Sequence, residues 1–578
     1  MSCNQGSSPE VPKRTRKNEA TPKVGTGLST MTRSDAFVAP KITPKFTDVA
    51  ELCGVAFERF SDIVPGRFFL PEIMGGGAAW FDYDGDGWLD LYVVNGCQLD
   101  DPDLSQTNYV NRLFRNEGNG SFSDVTFSSG ALENGYGQGC AVGDFNADGF
   151  PDLYVTNFGK NSLLENNGDG TFSKVGSMAG VNDPSWGTST VWLDLDDDSD
   201  LDLYVVNYLD LHRGNSEVCE YNGKKGYCGP GSYQATADRV YLNQNDGTFI
   251  ESAGKMGLEA VDGKGLAVIA ADFDYDGMPD VYVANDMAAN FLFTRTRDLA
   301  DGPRSSSQFH NVAQASGCAV SRDGKNEASM GIACADFDGD GLIDIFLTHY
   351  FQAKNTLYRN RGSLIFDDDS RRSRIAATSF ATLGFGTATF DYDRDGGIDL
   401  FITNGHVLGP EHEPFAMKPQ LLRNDGTGRF DDISPLAGEY FLDRFVGRGV
   451  ATGDYDNDGD ADLAVTHLHR PMSLLRNETE TGRHFLGLQL KTATRTLAVG
   501  GRVVLTFGKQ KRVIALTSGG SYLSSSDSRL LVGLGDFSGT VDLEIRWPSG
   551  KVEQFQGLEN DRYWLIVEGH QSMPFTLP

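Results

Sequence analysis

The sequence predicts an all-β chain, a seven-bladed β-propeller followed by a small C-terminal β domain, and three observations carry that reading. A nine-residue aspartate run, D-Y-D-G-D-G-W-L-D from Asp82, recurs in the same frame from Asp144, Asp194, Asp272, Asp336, Asp391 and Asp454 at spacings of 50 to 78 residues. A period of that size marks an array of structural units. Each run is entered through small residues such as A-A-W-F and left through β-branched or aromatic runs such as L-Y-V-V, L-Y-V-T, V-Y-V-A or I-F-L-T, which predict strands covered on both faces. Behind the loops come L-F-R-N-E-G-N-G-S-F from Leu113, L-L-E-N-N-G-D-G-T-F from Leu163, Y-L-N-Q-N-D-G-T-F from Tyr241 and L-L-R-N-D-G-T-G-R-F from Leu421. Each reads as strand, glycine-rich hairpin, strand. Two hairpins give four strands per repeat, the content of one propeller blade.

In chain order, residues 1–40 are rich in Ser, Thr, Pro, Lys and Arg and are expected to form a disordered tail. The propeller is expected over 41–480. Its closing phenylalanines fall at Phe122, Phe172, Phe249, Phe309, Phe366 and Phe430, one fewer than the loops, and the pattern stops after Asn477. F-T-D-V at Phe46 to Val49 is therefore expected to supply the outer strand of the last blade, closing the ring and removing open edges. Over 481–570, alternation such as V-D-L-E-I-R-W with a turn at Pro548 to Gly550 predicts a small β domain.

The repeated run has the chemistry of a hard-cation site. Calcium takes six to eight oxygen ligands, and carboxylates at positions 1, 3, 5 and 9 of a tight turn fold around one ion. The expected ligands are Asp82, Asp84, Asp86 and Asp90; Asp144, Asn146, Asp148 and Asp152; Asp194, Asp196, Asp198 and Asp202; Asp272, Asp274, Asp276 and Asp280; Asp336, Asp338, Asp340 and Asp344; Asp391, Asp393, Asp395 and Asp399; Asp454, Asp456, Asp458 and Asp462. That makes up to seven ions. Position 6 is Gly except for Ser199, as a reversal needing positive φ requires, and position 7 is expected to offer its carbonyl. An EF-hand opens the same way but needs Glu at position 12, where the first copy has Val93.

Composition excludes some partners. With 80 acidic against 50 basic residues and a formal charge of −30, the chain lacks the sign that phosphate contact needs, which argues against nucleic acid. No stretch reads as an apolar signal core or a membrane span. Cys219 and Cys228 bracket E-Y-N-G-K-K-G-Y in the excursion after the third loop, where a disulfide would contribute roughly 2–3 kcal/mol. Cys140 and Cys334 read as small buried hydrophobes.

Phe46 to about Asn477 resembles the FG-GAP/VCBS repeat propeller also found in integrin α subunits. Arg483 to Gly569 resembles the ASPIC/UnbV domain, through G-G-S-Y-L-S-S-S-D-S-R from Gly519, V-G-L-G from Val532 and R-W-P-S-G-K from Arg546. L-P-E-I-M-G-G-G before the first loop and Y-C-G-P at Tyr227 are similar to bacterial relatives of the cartilage acidic protein family. The resemblance implies an extracytoplasmic calcium-binding protein, secreted, periplasmic or at the cell surface. Cys3 followed by N-Q-G-S-S resembles the start of a mature lipoprotein, which implies a lipid anchor there.

The fourteenth position from each loop start reads Asn95, Asn157, Asn207, Asn285, His349, Asn404 and His467. These residues are expected at the end opposite the loops, around the mouth of the central channel, with His406 and His469 nearby. Two functional readings follow. Nothing matches a nucleophile elbow, a P-loop or a catalytic carboxylate pair apart from the loops, which favours a binding or adhesion module for a protein or glycan. The alternative is an enzyme using His349, His406 and His467, from consecutive blades, as a metal or acid–base site. On the bland reading, the Asn side chains satisfy strand-end backbone groups.

Overall fold

The computed structural model describes residues 40–100, 108–295, 308–494 and 496–575; Cys3 and the rest of the tail lie outside the described residues. The apolar runs and glycine hairpins fold as the periodicity dictates. The first repeat makes an antiparallel sheet of Ala78–Phe81, Asp90–Val93, Arg112–Asn116 and Phe122–Asp124, and six further sheets among the described residues repeat this order. The first strands, Ala78–Phe81, Gly137–Gly143, Gly187–Leu193, Gly265–Ala271, Ile332–Ala335, Gly384–Phe390 and Val446–Gly453, touch in sequence, and the last meets the first. Every aspartate loop joins a first strand to a second, so all seven emerge at one end of the ring.

The seventh sheet takes its outer strand from the far end of the chain. Phe46–Asp48 pairs antiparallel with Ser473–Asn477, Phe46 opposite Asn477 and Asp48 opposite Leu475. Phe46 is buried against Phe390 and Phe441.

A second tie runs between sheets. The asparagine ending the third strand donates its side-chain amide to the loop position-2 carbonyl of the preceding sheet: Asn166 to Tyr83, Asn243 to Phe145, Asn360 to Phe273, Asn424 to Phe337, Asn477 to Tyr392, and Asn116 to Tyr455, from the first sheet back to the seventh. The fourth sheet has Arg295 in that place, paired at 2.7 Å with Asp197 of the third loop. Six buried amides and one guanidinium thus lock neighbouring sheets. Each such bond, once buried, is costly to leave unmade.

The C-terminal domain is a pair of four-stranded sheets around its own core of Leu486, Leu488, Val503, Leu505, Ile545 and Trp547. Its Gly-Gly-Ser-Tyr-Leu-Ser segment leaves that core and enters the propeller's channel as a peg. Ser518–Gly519 pairs with Ile269 and Ala270 of the fourth sheet, and Ser521 exchanges backbone hydrogen bonds with Ile332 of the fifth. Leu523 accepts from the Cys140 N–H of the second and donates to Ser189 Oγ of the third. Ser525 brackets Ala78 and Trp80 of the first, and Ser521 and Asp527 bond Val450 and Thr452 of the seventh. First strands of a propeller present unpaired backbone edges, and the peg bonds to those of six sheets.

Candidate metal sites

Each loop is shaped by its own first and last aspartates. The position-1 carboxylate accepts the N–H groups of positions 5 and 6, as Asp82 does from Asp86 and Gly87 and Asp454 from Asp458 and Gly459. The position-9 carboxylate accepts the N–H of position 2 with one oxygen, and in six sheets the N–H of the third-strand asparagine with the other, as Asp90 does from Tyr83 and Asn116. This bonding wraps the turn so that position 6 takes φ of +86° to +98° in its six glycines and +75° in Ser199. Position 4 is also left-handed in all seven loops, at Gly85, Ala147, Asp197, Tyr275, Gly339, Arg394 and Asn457. Nothing in the sequence marks that second reversal, since only two of the seven are glycine.

In five of the loops three of the expected ligand residues come close together. Three carboxylate oxygens lie within 4.8 Å of one another in Asp82/Asp84/Asp86, Asp194/Asp196/Asp202, Asp272/Asp274/Asp276, Asp336/Asp338/Asp340 and Asp391/Asp393/Asp399. One Oδ1 of each position-3 residue Asp84, Asp196, Asp338 and Asp456 is buried with no hydrogen-bond partner. A buried carboxylate oxygen without a donor needs a cation, so this donor set fits a hard divalent ion, with these aspartates as ligands. Burial pushes the position-1 and position-9 carboxyls up in the metal-free chain: Asp82 to about 6, Asp454 to about 7, Asp152 and Asp391 to about 8. Guanidinium groups stand against some loops, Arg115 on Asp84 at 2.7 Å, Arg359 on Asp344 at 2.6 Å and Arg483 on Asp393 at 2.9 Å.

Position 7, expected to offer only a carbonyl, is itself aspartate in two loops. Asp200 and Asp460 each bury an oxygen that has no hydrogen-bond partner, and Asp460 pairs with Arg394 of the sixth loop at 2.7 Å. The C-terminal domain reaches the seventh loop directly, where the Tyr563 hydroxyl donates to Asp454 Oδ2 at 2.7 Å and Arg529 Nη2 to the Asp454 carbonyl at 2.9 Å.

The strand-end residues do not ring the channel mouth as expected. They turn outward to the start of the third strand of their own sheet. The side-chain amide of Asn95 donates to Val110 O, that of Asn157 to Lys160 O, that of Asn207 to Ala237 O, that of Asn285 to Ala289 O and that of Asn404 to Lys418 O. His349 and His467 take the same place, with Nε2 against Thr356 Oγ1 at 3.1 Å and Ser473 Oγ at 3.2 Å. His406 uses Nδ1 to accept the N–H groups of Val407 and Leu408. Among the described residues no hydrogen bond or ring contact joins any two of these three histidines. Burial lowers all three, His349 and His406 to about 4 and His467 to about 3, so they are neutral at pH 7.

The mouth at that end is closed by other residues. Leu70, Ile73, Tyr208, Tyr227, Tyr233, Phe385, Met417 and the peg residue Tyr522 form one apolar cluster. Cys219 and Cys228 form a disulfide across the hairpin of Val218–Tyr221 and Lys224–Tyr227, which leans on the sixth-sheet loop through Lys224 Nζ to Glu411 O and His412 to Lys225 O.

Comparisons with known proteins agree with this organisation. The model of the FG-GAP-like repeat matches residues 82–155, 144–205, 228–283, 336–402 and 391–465, and that of ASPIC and UnbV matches 491–573. Cartilage acidic protein 1 of Xenopus tropicalis is 26% identical over 329 residues, 54% of this chain and 46% of that protein. The Homo sapiens protein is 25% identical over 281 residues, 47% of this chain and 39% of its own. The alignments thus span less than half of these relatives. A Burkholderia pseudomallei lectin of known structure is 11% identical with a TM-score of 0.39, covering 68% of this chain and 92% of its own. Matched over more than half of its length by one repeat model and at its C-terminal end by a second, the chain belongs to the FG-GAP-like repeat family and carries an ASPIC and UnbV domain.

Proposed function

We propose that this chain is an extracytoplasmic calcium-binding propeller that serves as a binding module for a protein or glycan. The observation that carries the calcium assignment is the set of buried, partnerless position-3 oxygens at Asp84, Asp196, Asp338 and Asp456, which oxygen-seeking cations of millimolar extracellular abundance would fill. When bound, calcium would supply charge neutralisation; the loop aspartates would hold it, and their backbone bonds fix the turn. The Cys219–Cys228 disulfide supports an oxidising location. Binding is favoured over catalysis because the three histidines stand apart, with no hydrogen bond or ring contact between any two of them among the described residues, and burial holds them neutral. Among the described residues no helix is long and apolar enough to cross a membrane.

Elemental analysis of natively purified protein tests the reading. Calcium at several ions per chain, with no stoichiometric transition metal, is the expected result. Copper, iron or zinc that disappears in His349→Ala would overturn it in favour of a histidine metal site.

A further inference from the structure

In three sheets the side chain just before the asparagine that ties the third strand to its neighbour touches its own loop. In the first sheet it is Arg115, with Nε 2.7 Å from Asp84 Oδ2 and Nη2 3.2 Å from Asp86 Oδ2. In the fifth it is Arg359, 3.4 Å from Asp338 Oδ2 and 2.6 Å from Asp344 Oδ2. The position-3 carboxylate is thereby divided: Oδ2 goes to a guanidinium, and Oδ1 of Asp84 and of Asp338 is left buried without a partner. Arg423 and Arg476 hold the same place in the sixth and seventh sheets, but the second sheet has Glu165. Its loop is also the only one of the seven with an asparagine, Asn146, at position 3.

The two departures fit each other. Asn146 Nδ2 donates to Glu165 Oε1 at 3.2 Å and to Asp148 Oδ2 at 3.0 Å, while Asn146 Oδ1 accepts the position-5 N–H of Asp148 at 3.1 Å. Asp274 and Asp393 use Oδ1 in the same way, at 3.2 and 3.3 Å. Asn146 Oδ1 therefore stands where the other loops present a ligand oxygen, and Nδ2 takes the place of the oxygen that Arg115 holds in Asp84. A guanidinium only donates and a carboxylate only accepts, so Arg suits Asp at position 3 and Glu suits the amide nitrogen of Asn.

We infer that Glu165 is a positioning residue of the second metal site, holding Asn146 with its carbonyl oxygen toward the ion and returning the negative charge that Asn146 lacks. The inference rests on the calcium reading of the loops, and it names a residue outside the nine-residue run on which one site depends. With Asp144, Asp148 and Asp152, Glu165 brings four carboxylates to a loop that has only three of its own at positions 1, 3, 5 and 9. An arginine at 165 would turn the amide over, because Oδ1 is the one acceptor that Asn146 offers, and would leave the NH2 group facing the cation.

The test counts calcium bound to the full-length chain by equilibrium dialysis at about 0.1 mM calcium. Glu165→Arg should weaken one site about a hundredfold and so lose about one ion per chain. Adding Asn146→Asp to it rebuilds the pairing of Asp84 with Arg115, and that double variant should regain the ion, a rescue that a merely structural Glu165 would not give. Glu165 is half-buried on its strand; should Glu165→Arg not fold, Glu165→Leu, which removes the acceptor without adding charge, should weaken the same site about tenfold. A Glu165→Arg or Glu165→Leu chain that keeps every ion at unchanged affinity, or a double variant that does not regain the lost one, overturns the inference and leaves the calcium reading in place. An unaltered chain that binds no calcium overturns both.

Discussion

The two ends of the ring solve the problem of buried charge in opposite ways. At the end away from the loops, each buried acid has its own partner from the chain: Glu72 is held by Arg67 and by the Tyr227 hydroxyl at 2.9 Å, and Asp286 accepts from Tyr208 at 2.6 Å. At the loop end, carboxylates are buried in groups, with oxygens that no protein donor reaches. One end pairs these acids within the chain, and the other gathers carboxylates as the proposed calcium sites would require. Irregular insertions build the first; a single turn repeated seven times builds the second.

Removing calcium should break that contrast most. With dissociation constants near 10 μM and calcium near 1 mM, each ion contributes about 2.7 kcal/mol and seven on the order of 19 kcal/mol. We expect a fall in melting temperature of more than about 10 °C in chelator, and hydrogen exchange should rise at the loops before it rises around Tyr227 and Leu70. A shift of only a few degrees would remove the distinction between the ends. Deleting residues 41–52 should come next, because it strips the outer strand from the seventh sheet, whereas deleting 1–35 should leave the melting temperature unchanged.

Replacing Cys219 and Cys228 together with serine tests the self-sufficient end. A loss of roughly 2–3 kcal/mol in denaturant unfolding is expected, with calcium stoichiometry unaltered. The pH response of the loop end reverses with metal. In the metal-free chain the carboxyls of Asp82, Asp272, Asp152 and Asp391 sit at about 6, 7, 8 and 8, above the ordinary value near 4. The folded state then binds more protons than the unfolded one between about pH 4 and 8, so stability falls as pH rises through that window. Chelated protein should melt higher at pH 5.5 than at pH 8, and calcium-loaded protein should do the reverse. The smallest effect is Tyr563→Phe, which removes one hydrogen bond to Asp454; about 1 kcal/mol is expected, confined in calcium titration to a single site.

Much of the repeat was readable because its chemistry is local. Aspartates at positions 1, 3, 5 and 9 and glycine at 6 announce the turn, and the apolar runs beside them announce the strands. The left-handed residue at position 4 was not readable, because Asp82 and its counterparts impose it through hydrogen bonds on Ala147, Tyr275 or Arg394 as readily as on glycine. The asparagine after each third strand is visible in L-F-R-N and L-L-E-N, but its partner lies one sheet away, which a period within a sheet cannot reveal. The strand-end Asn and His residues were expected at the channel mouth because they end the second strand; the hairpin to the third strand draws their side chains outward instead. The peg escaped for the same reason as the asparagine clasp, since G-G-S-Y-L-S-S-S-D contacts seven sheets that its own sequence does not mention.

The pairing of Phe46–Asp48 with Ser473–Asn477 also sets a schedule for biogenesis. Thr47 and Glu478, bonded at 2.9 Å, are 431 residues apart. At synthesis rates of about 5–20 residues per second, the first strand waits roughly 20–90 s for its partner. During that interval the last sheet lacks its outer strand and the asparagine tie from the seventh sheet back to the sixth has not formed. A chain interrupted before residue 477 therefore leaves an open arc with a bare strand at each end, a form that invites joining to a neighbour rather than to itself.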